Sequence, residues 1–236
     1  MNADAFLYDL PSVLLNGESF FLWEIGQRRV IDHWMDHLFR SNATMTLWLE
    51  HNDEPLTDYV SGTFPLCKRA EVKAGLPDAA TGTCTFVNAE GSIQLQRGSA
   101  IAPCLPPDQP VTKTWFAMVR KWLAELQKFG TQLPELETQV APGVIVGHHC
   151  SISKDTVLNA PCWIGAGCTI SGAVIGPNAV IGEECVVAAG SEITESYVLS
   201  HSYVRPNRRL DGVIVSGRKI FDHATGHPAV MSKPAK

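Results

Sequence analysis

The sequence contains no C-x-x-C pair, no G-x-G within its first 30 residues, and no surplus of positive charge. Nor does it hold an unbroken apolar run near the roughly 20 residues that a membrane span needs. Each gap excludes something. Seven cysteines, an odd number without close pairs, make a disulfide framework or a zinc knuckle a poor expectation. A net charge of −5 gives no electrostatic reason to expect nucleic acid or an anionic membrane as a partner. The opening "MNADAFLYDLPS" has no basic stretch followed by an apolar one, so the expected location is the cytoplasm. What is there, 45% hydrophobic and 18% charged residues over 236 positions, is the composition of a folded chain with one large domain or two modest ones.

Residues 174–191 read VIGPNA, VIGEEC, VVAAGS, with an aliphatic residue opening each group of six. Extended in both directions, the beat falls on Val146, Ile152, Leu158, Ile164, Ile170, Ile175, Ile181, Val187, Ile193, Val198 and Val204. Two steps are of five residues, Ile170 to Ile175 and Ile193 to Val198. A helix would rotate the side chain by about 600° in six residues and scatter the beat around its axis. The hexad predicts instead a parallel β-helix: each group makes one short flat face and a corner, and three faces close a coil. The run from Val146 to about Arg208 then holds three to four coils.

Other positions in the hexad agree. After the beat come Gly147, Ser153, Asn159, Gly165, Ser171, Gly176, Gly182, Ala188 and Thr194, small or turn-compatible residues expected where a corner demands unusual backbone angles. Four places after the beat stand Cys150, Thr156, Cys162, Cys168, Ala179, Cys185 and Ser191, small enough for a narrow bore. Cys150, Cys168 and Cys185 fall on one side in successive coils. Since Thr, Ala and Ser fill equivalent slots, packing rather than metal ligation is the expected role.

The stretch "APGVIVGHHCSISKDTVLNAPCWIGAGCTISGAVIGPNAVIGEECVV" resembles the left-handed β-helix domains of the hexapeptide transferases. That group includes acyltransferases and the C-terminal domains of sugar-nucleotide pyrophosphorylases. The five-residue steps at "SGAVIG" and "TESYVL", with the closing "ESYVLSHSYVRPNRRLDGVIVSGRKIFD", are similar to the C-terminal β-helix of NDP-sugar pyrophosphorylase-like proteins. This resemblance implies an N-terminal lobe that binds a sugar phosphate or sugar nucleotide, with Mg as cofactor if nucleotidyl transfer survives. The acyltransferase alternative implies acetyl-CoA and a histidine base. A non-catalytic oligomeric scaffold is the third reading. Homo-oligomerisation is implied in each case, with a trimer as one form it can take.

A general base for acyl transfer must reach its acceptor and titrate near neutrality, which suits histidine. The candidates are His148, His149 and His201, all expected on the outside of the coil. No long insertion interrupts the metre, which counts against acyl transfer. His149 and His201 share a hexad position but lie three coils apart, roughly 14 Å, so one chain cannot bring them to a common zinc as a γ-carbonic anhydrase would. Arg205, Arg208 and Arg209, at the last coil, are candidates for binding a phosphate or carboxylate, against the plain role of a polar solenoid cap.

In the first half, "QRRVIDHWMDHLFRS" places Val30, Ile31, Trp34, Met35, Leu38 and Phe39 at helical spacing, and "ATMTLWLEH" predicts a buried strand. "TGTCTFVN" and "GSIQLQRGSAIAP" predict two strands around the turn Ala89-Glu90-Gly91. "KTWFAMVRKWLAELQKFG" predicts an amphipathic helix, with Trp115, Phe116, Val119, Trp122, Leu123, Leu126 and Phe129 inward and Gly130 as its stop. A phosphate-binding loop needs glycines where backbone N–H groups meet the anion, and residues 1–30 offer only Gly17 and Gly26. Gly62, Thr63 and Lys68 follow no predicted strand, and Asp53, Asp58 and Asp78 lie in polar, loop-like stretches without a defensible metal partner. If the resemblance holds, the catalytic lobe is degenerate. The expected architecture is thus a reduced α/β nucleotidyltransferase-like region over 1–140, a left-handed parallel β-helix (hexapeptide-repeat solenoid) over 141–210, and a C-terminal cap and tail over 211–236, the tail packing loosely or wrapping a neighbour.

Overall fold

A computed structural model describes residues 2–7, 22–32, 44–49, 54–63, 70–74, 83–87, 93–97, 111–129 and 137–229. The chain divides into two compact units, Met1–Glu24 with Arg28–Thr114 and Ile25–Gln27 with Trp115–Lys236.

The first unit is built on a five-stranded sheet in the order Ala70–Ala74, Thr44–Leu49, Asn2–Leu7, Thr83–Val87, Ile93–Arg97. The first four strands run parallel and the last antiparallel. The strand expected at "ATMTLWLEH" and the pair around Ala89-Glu90-Gly91 are present. Asn2–Leu7 and Ala70–Ala74 were not anticipated, because Asn, Ala, Asp, Glu and Lys are weak strand formers and the pairing partners lie far away in sequence. A helix, Glu54–Thr63, connects Thr44–Leu49 to the edge strand and buries Leu56 and Val60, one turn apart. Asp58, expected in a loop, therefore sits on the exposed side of a helix that Gly62 and Thr63 close. Asp53, Asp78 and Lys68 lie outside the described residues.

The helix expected from Gln27 opens only at residue 30. Arg28–Arg29 pairs with Glu24–Ile25 in a two-stranded hairpin, and Gly26 supplies the left-handed backbone angle the turn requires, with φ of 65°. Asp32 then caps the helix by accepting the Arg29 N–H at 2.8 Å. The Tyr59 hydroxyl donates to both oxygens of this buried carboxylate, at 3.0 and 2.9 Å. Burial first, and then the facing Asp32, push the Tyr59 pKa above its ordinary value and keep it a donor. Trp34, Met35, Leu38 and Phe39 lie outside the described residues.

The second unit is a parallel β-solenoid of four coils, with a repeat of 17 or 18 residues. Its first face stacks Ile145, Trp163, Val180, Tyr197 and Ile214 in register. The second stacks Ser151, Thr169, Val186 and Tyr203. The third stacks Val157, Val174, Glu192 and Arg209. The aliphatic beat points inward, and Ile164, Ile170, Ile175, Ile181, Val187, Ile193 and Val198 are all almost fully buried in one core. The beat continues further than expected, to Leu210 and, after a third five-residue step, to Val215.

Small side chains form columns at the corners. Cys150, Cys168 and Cys185 stack as expected and donate their thiols to the carbonyls of Gly165, Gly182 and Leu199 in the following coil, at 3.1, 3.0 and 3.1 Å. Cys162, Ala179 and Ser196 fill a second column, and Ala173 and Ser191 a third. Burial pushes the Cys162 thiol up to about 12, which makes it a packing group and not a nucleophile. Directly after the beat an unusual backbone angle occurs as expected at Gly176, with φ of 90°, but the recurrent place for positive φ is three residues after the beat, as at His149, Gly167, Glu184 and His201. At Gly147, Gly165 and Gly182, directly after the beat, the small residue answers crowding instead. A Cβ on Gly165 would lie 2.8 Å from the backbone nitrogen of Glu183 in the next coil.

The helix Val111–Phe129 covers the first face from Trp115 onward. Trp115, Phe116, Val119 and Leu123 are buried, and Trp122 and Leu126 half-buried, while the Phe129 side chain and Gly130 lie outside the described residues. Trp115 packs on Tyr197 at 4.7 Å between ring centroids, and Trp122 meets Trp163 edge-on at 5.7 Å. Arg120 on this helix pairs with Glu195, which also accepts from Asn178. Antiparallel strands finish both edges of the first face, Glu137–Ala141 on Val144–Gly147 and Lys219–Asp222 on Val213–Ser216. The tail, expected to pack loosely or to wrap a neighbour, folds back on the closing hairpin within its described residues. Asp222 accepts from the N–H groups of Ala224 and Thr225, and Ala229 donates to the Ile220 carbonyl at 2.8 Å. No described helix is long and apolar enough to cross a membrane.

Candidate functional site

Two groups of predicted residues lie on the solenoid. The first is a corner column, His149, Gly167, Glu184 and His201, in which every residue has a left-handed backbone angle. His149 and His201 in this column are exposed, and so is His148, which precedes it with an ordinary backbone angle. His148 and His149 stand with ring centroids 6.1 Å apart at the first corner of the column. His201 is at the other end, with its Nδ1 3.2 Å from Glu184 Oε2. The three histidines are thus not brought together, and the carboxylate that does meet one, Glu184, was missed. Its signal was positional: it occupies the coil directly preceding His201 at the same hexad place.

The second group lies where the coil runs out. Beyond the last turn a cavity of about 250 Å³ opens, lined by Tyr203, Val204, Arg205, Arg208, Leu210, Val215, Arg218, Ile220 and Ala229. Its origin is in the metre. Val204, Leu210 and Val215 are the last inward beats of the three faces, and among the described residues no further coil stacks on them. The corner column that held Ala173 and Ser191 in earlier coils ends in Arg208. Arg205 follows the Val204 beat, and Arg218 stands at the tip of the closing hairpin beside Gly217, whose φ is 61°.

Arg205 and Arg208 were foreseen as ligand-binding candidates and both line this cavity. Arg209 does not: it projects from the third face toward Glu192, at 3.8 Å. Arg218 was missed because the beat was read as ending at Val204. Carried one six-residue step to Leu210 and one five-residue step to Val215, the metre places Arg218 at the next corner. None of the guanidinium groups of Arg205, Arg208 and Arg218 forms an ion pair or hydrogen bond among the described residues. Also among the described residues, no three His, Cys, Asp or Glu side chains are grouped so as to hold a metal ion.

Residues 161–195 match the family model described as bacterial transferase hexapeptide (six repeats). Together with the three stacked parallel faces, this decides the architecture. The coil is a hexapeptide-repeat left-handed β-helix. Such β-helices are typical of transferases, acyl and nucleotidyl alike, and often form trimers. No curated protein matches the chain.

Proposed function

We propose that this chain is a sugar-nucleotide or polysaccharide-pathway protein of nucleotidyltransferase-like design, whose first unit binds a nucleotide or sugar phosphate without an intact catalytic loop. The supporting observation is the strand order of the first sheet, read beside a β-helix in the same chain. Parallel strands run outward from Asn2–Leu7 to one side and then restart on the other with Thr83–Val87. At such a reversal the connections leave in opposite directions and open a crevice at the carboxyl ends of the strands, where open α/β sheets bind their ligands. The missing G-x-G in residues 1–30 argues for binding rather than turnover. Neither Asp58, on an exposed helix side, nor Asp32, occupied by Tyr59 and Arg29, is placed to hold Mg.

A second reading, acyl transfer from acetyl-CoA to a sugar or small amine, is favoured by the His201–Glu184 pair. With Nδ1 held by the carboxylate, Nε2 is left to face an acceptor hydroxyl or amine. In either case we propose a homotrimer.

Thermal unfolding with nucleoside triphosphates, with sugar 1-phosphates and with acetyl-CoA separates the readings. A ligand at one hundred times its Kd should add about 2.7 kcal/mol of stability. A shift with the nucleotide or sugar phosphate supports the first reading. A shift with acetyl-CoA alone replaces it by the second, and none with any of them leaves only a scaffold.

A further inference from the structure

We propose that the cavity at the C-terminal end of the β-helix is a binding site for a small phosphate monoester with an apolar body. It is separate from the sheet crevice of the first unit and does not depend on that reading. Arg205, Arg208 and Arg218 bring three positive charges to one cavity of a chain whose net charge is −5. Like charges gathered beside low-dielectric walls repel one another, and no carboxylate among the described residues pairs with these three. The neighbouring carboxylates are occupied elsewhere: Glu192 faces Arg209, Asp211 meets the Thr194 hydroxyl, and Asp222 binds its own turn. An anion entering the cavity resolves the repulsion.

The number and kind of donors select the anion. One guanidinium satisfies a carboxylate through two parallel N–H bonds, so three offer more donors than a carboxylate has oxygens to accept. A phosphate monoester carries three acceptor oxygens and about −1.5 to −2 charges at neutral pH. The remaining walls, Tyr203, Ile220 and Ala229 over the ends of Leu210 and Val215, are apolar and call for an apolar body attached to the phosphate. A volume of about 250 Å³ holds roughly eight waters at their liquid share, which suits a molecule of about a dozen heavy atoms.

Isothermal titration of the full chain with phenyl phosphate, inorganic phosphate and benzoate tests this, because the three probes separate charge from body. Phenyl phosphate is expected to bind at least tenfold more tightly than either of the others. Arg208→Gln and Arg218→Gln should each weaken it tenfold or more, whereas Arg209→Gln should leave it unchanged. Arg218 is exposed on a hairpin tip, so its variant reads binding even if Arg208→Gln perturbs the last coil. Benzoate binding as tightly as phenyl phosphate, an equal loss in Arg209→Gln, or no heat from phenyl phosphate at millimolar concentration would each overturn the proposal.

Discussion

At the scale of single residues, the solenoid is governed by clearance between coils. Gly182 follows an inward Ile181, and a Cβ there would lie 2.4 Å from the Ser200 nitrogen and 2.8 Å from the Ser200 Cα, both backbone atoms of the next coil. Backbone cannot rotate away as a side chain can, so the coils must part and loosen the packing of Ile181 and Val198. Gly182→Ala is therefore expected to lose roughly 1–3 kcal/mol, in the range of other overpacked cores. Gly62, at the exposed end of the Glu54–Thr63 helix, has nothing within 4 Å of its would-be Cβ. Gly62→Ala should gain about 0.5–1 kcal/mol by restricting the unfolded chain. Urea unfolding followed by circular dichroism measures both. Similar effects from the two substitutions would show that clearance is not what the glycine after the beat supplies.

At the scale of elements, the first face is finished by a helix and a hairpin tip. The Tyr197 hydroxyl accepts the Gly26 N–H at 3.1 Å in a buried setting, while its ring supports Trp115. Tyr197→Phe keeps the ring and strands the N–H away from water, so a loss of about 1–3 kcal/mol is expected in thermal unfolding. A loss below about 0.3 kcal/mol would mean that water reaches Gly26. Both the coil and this helix were readable in the sequence, because periods of 6 and 3.6 are properties of consecutive residues. The hairpin at residues 24–29 was not readable: its left-handed Gly26 is a single signal, and the helical spacing of Val30 and Ile31 hid it. The parallel strands Asn2–Leu7 and Ala70–Ala74 were equally hidden, since each is stabilised by pairing with Thr44–Leu49, about 40 residues away in sequence for the first and about 25 for the second.

At the scale of the whole molecule, the candidate site shows the same division. Arg205 and Arg208 could be named from a cluster of charge at the last coil, but that Arg218 joins them and Arg209 does not depends on where the hairpin turns. Assembly depends likewise on which faces stay open. The helix from Trp115 leaves none of Ile145, Trp163, Val180, Tyr197 and Ile214 exposed. The other two faces keep Val186 at 41% and Val157 at 50% exposure. A threefold ring is heterologous, so each copy must offer two different surfaces, and two uncovered faces meeting along one corner are two such surfaces. If the protein is a trimer, Val186→Glu on the second face and Val157→Glu on the third should each lower the mass measured by light scattering toward one chain. A charge placed in a packed interface has no water to solvate it. Val140, 56% exposed on the edge strand Glu137–Ala141, lies on neither face, and Val140→Glu should leave the mass unchanged. A trimer that survives both of the first two substitutions would have to be held together by some other surface of the chain.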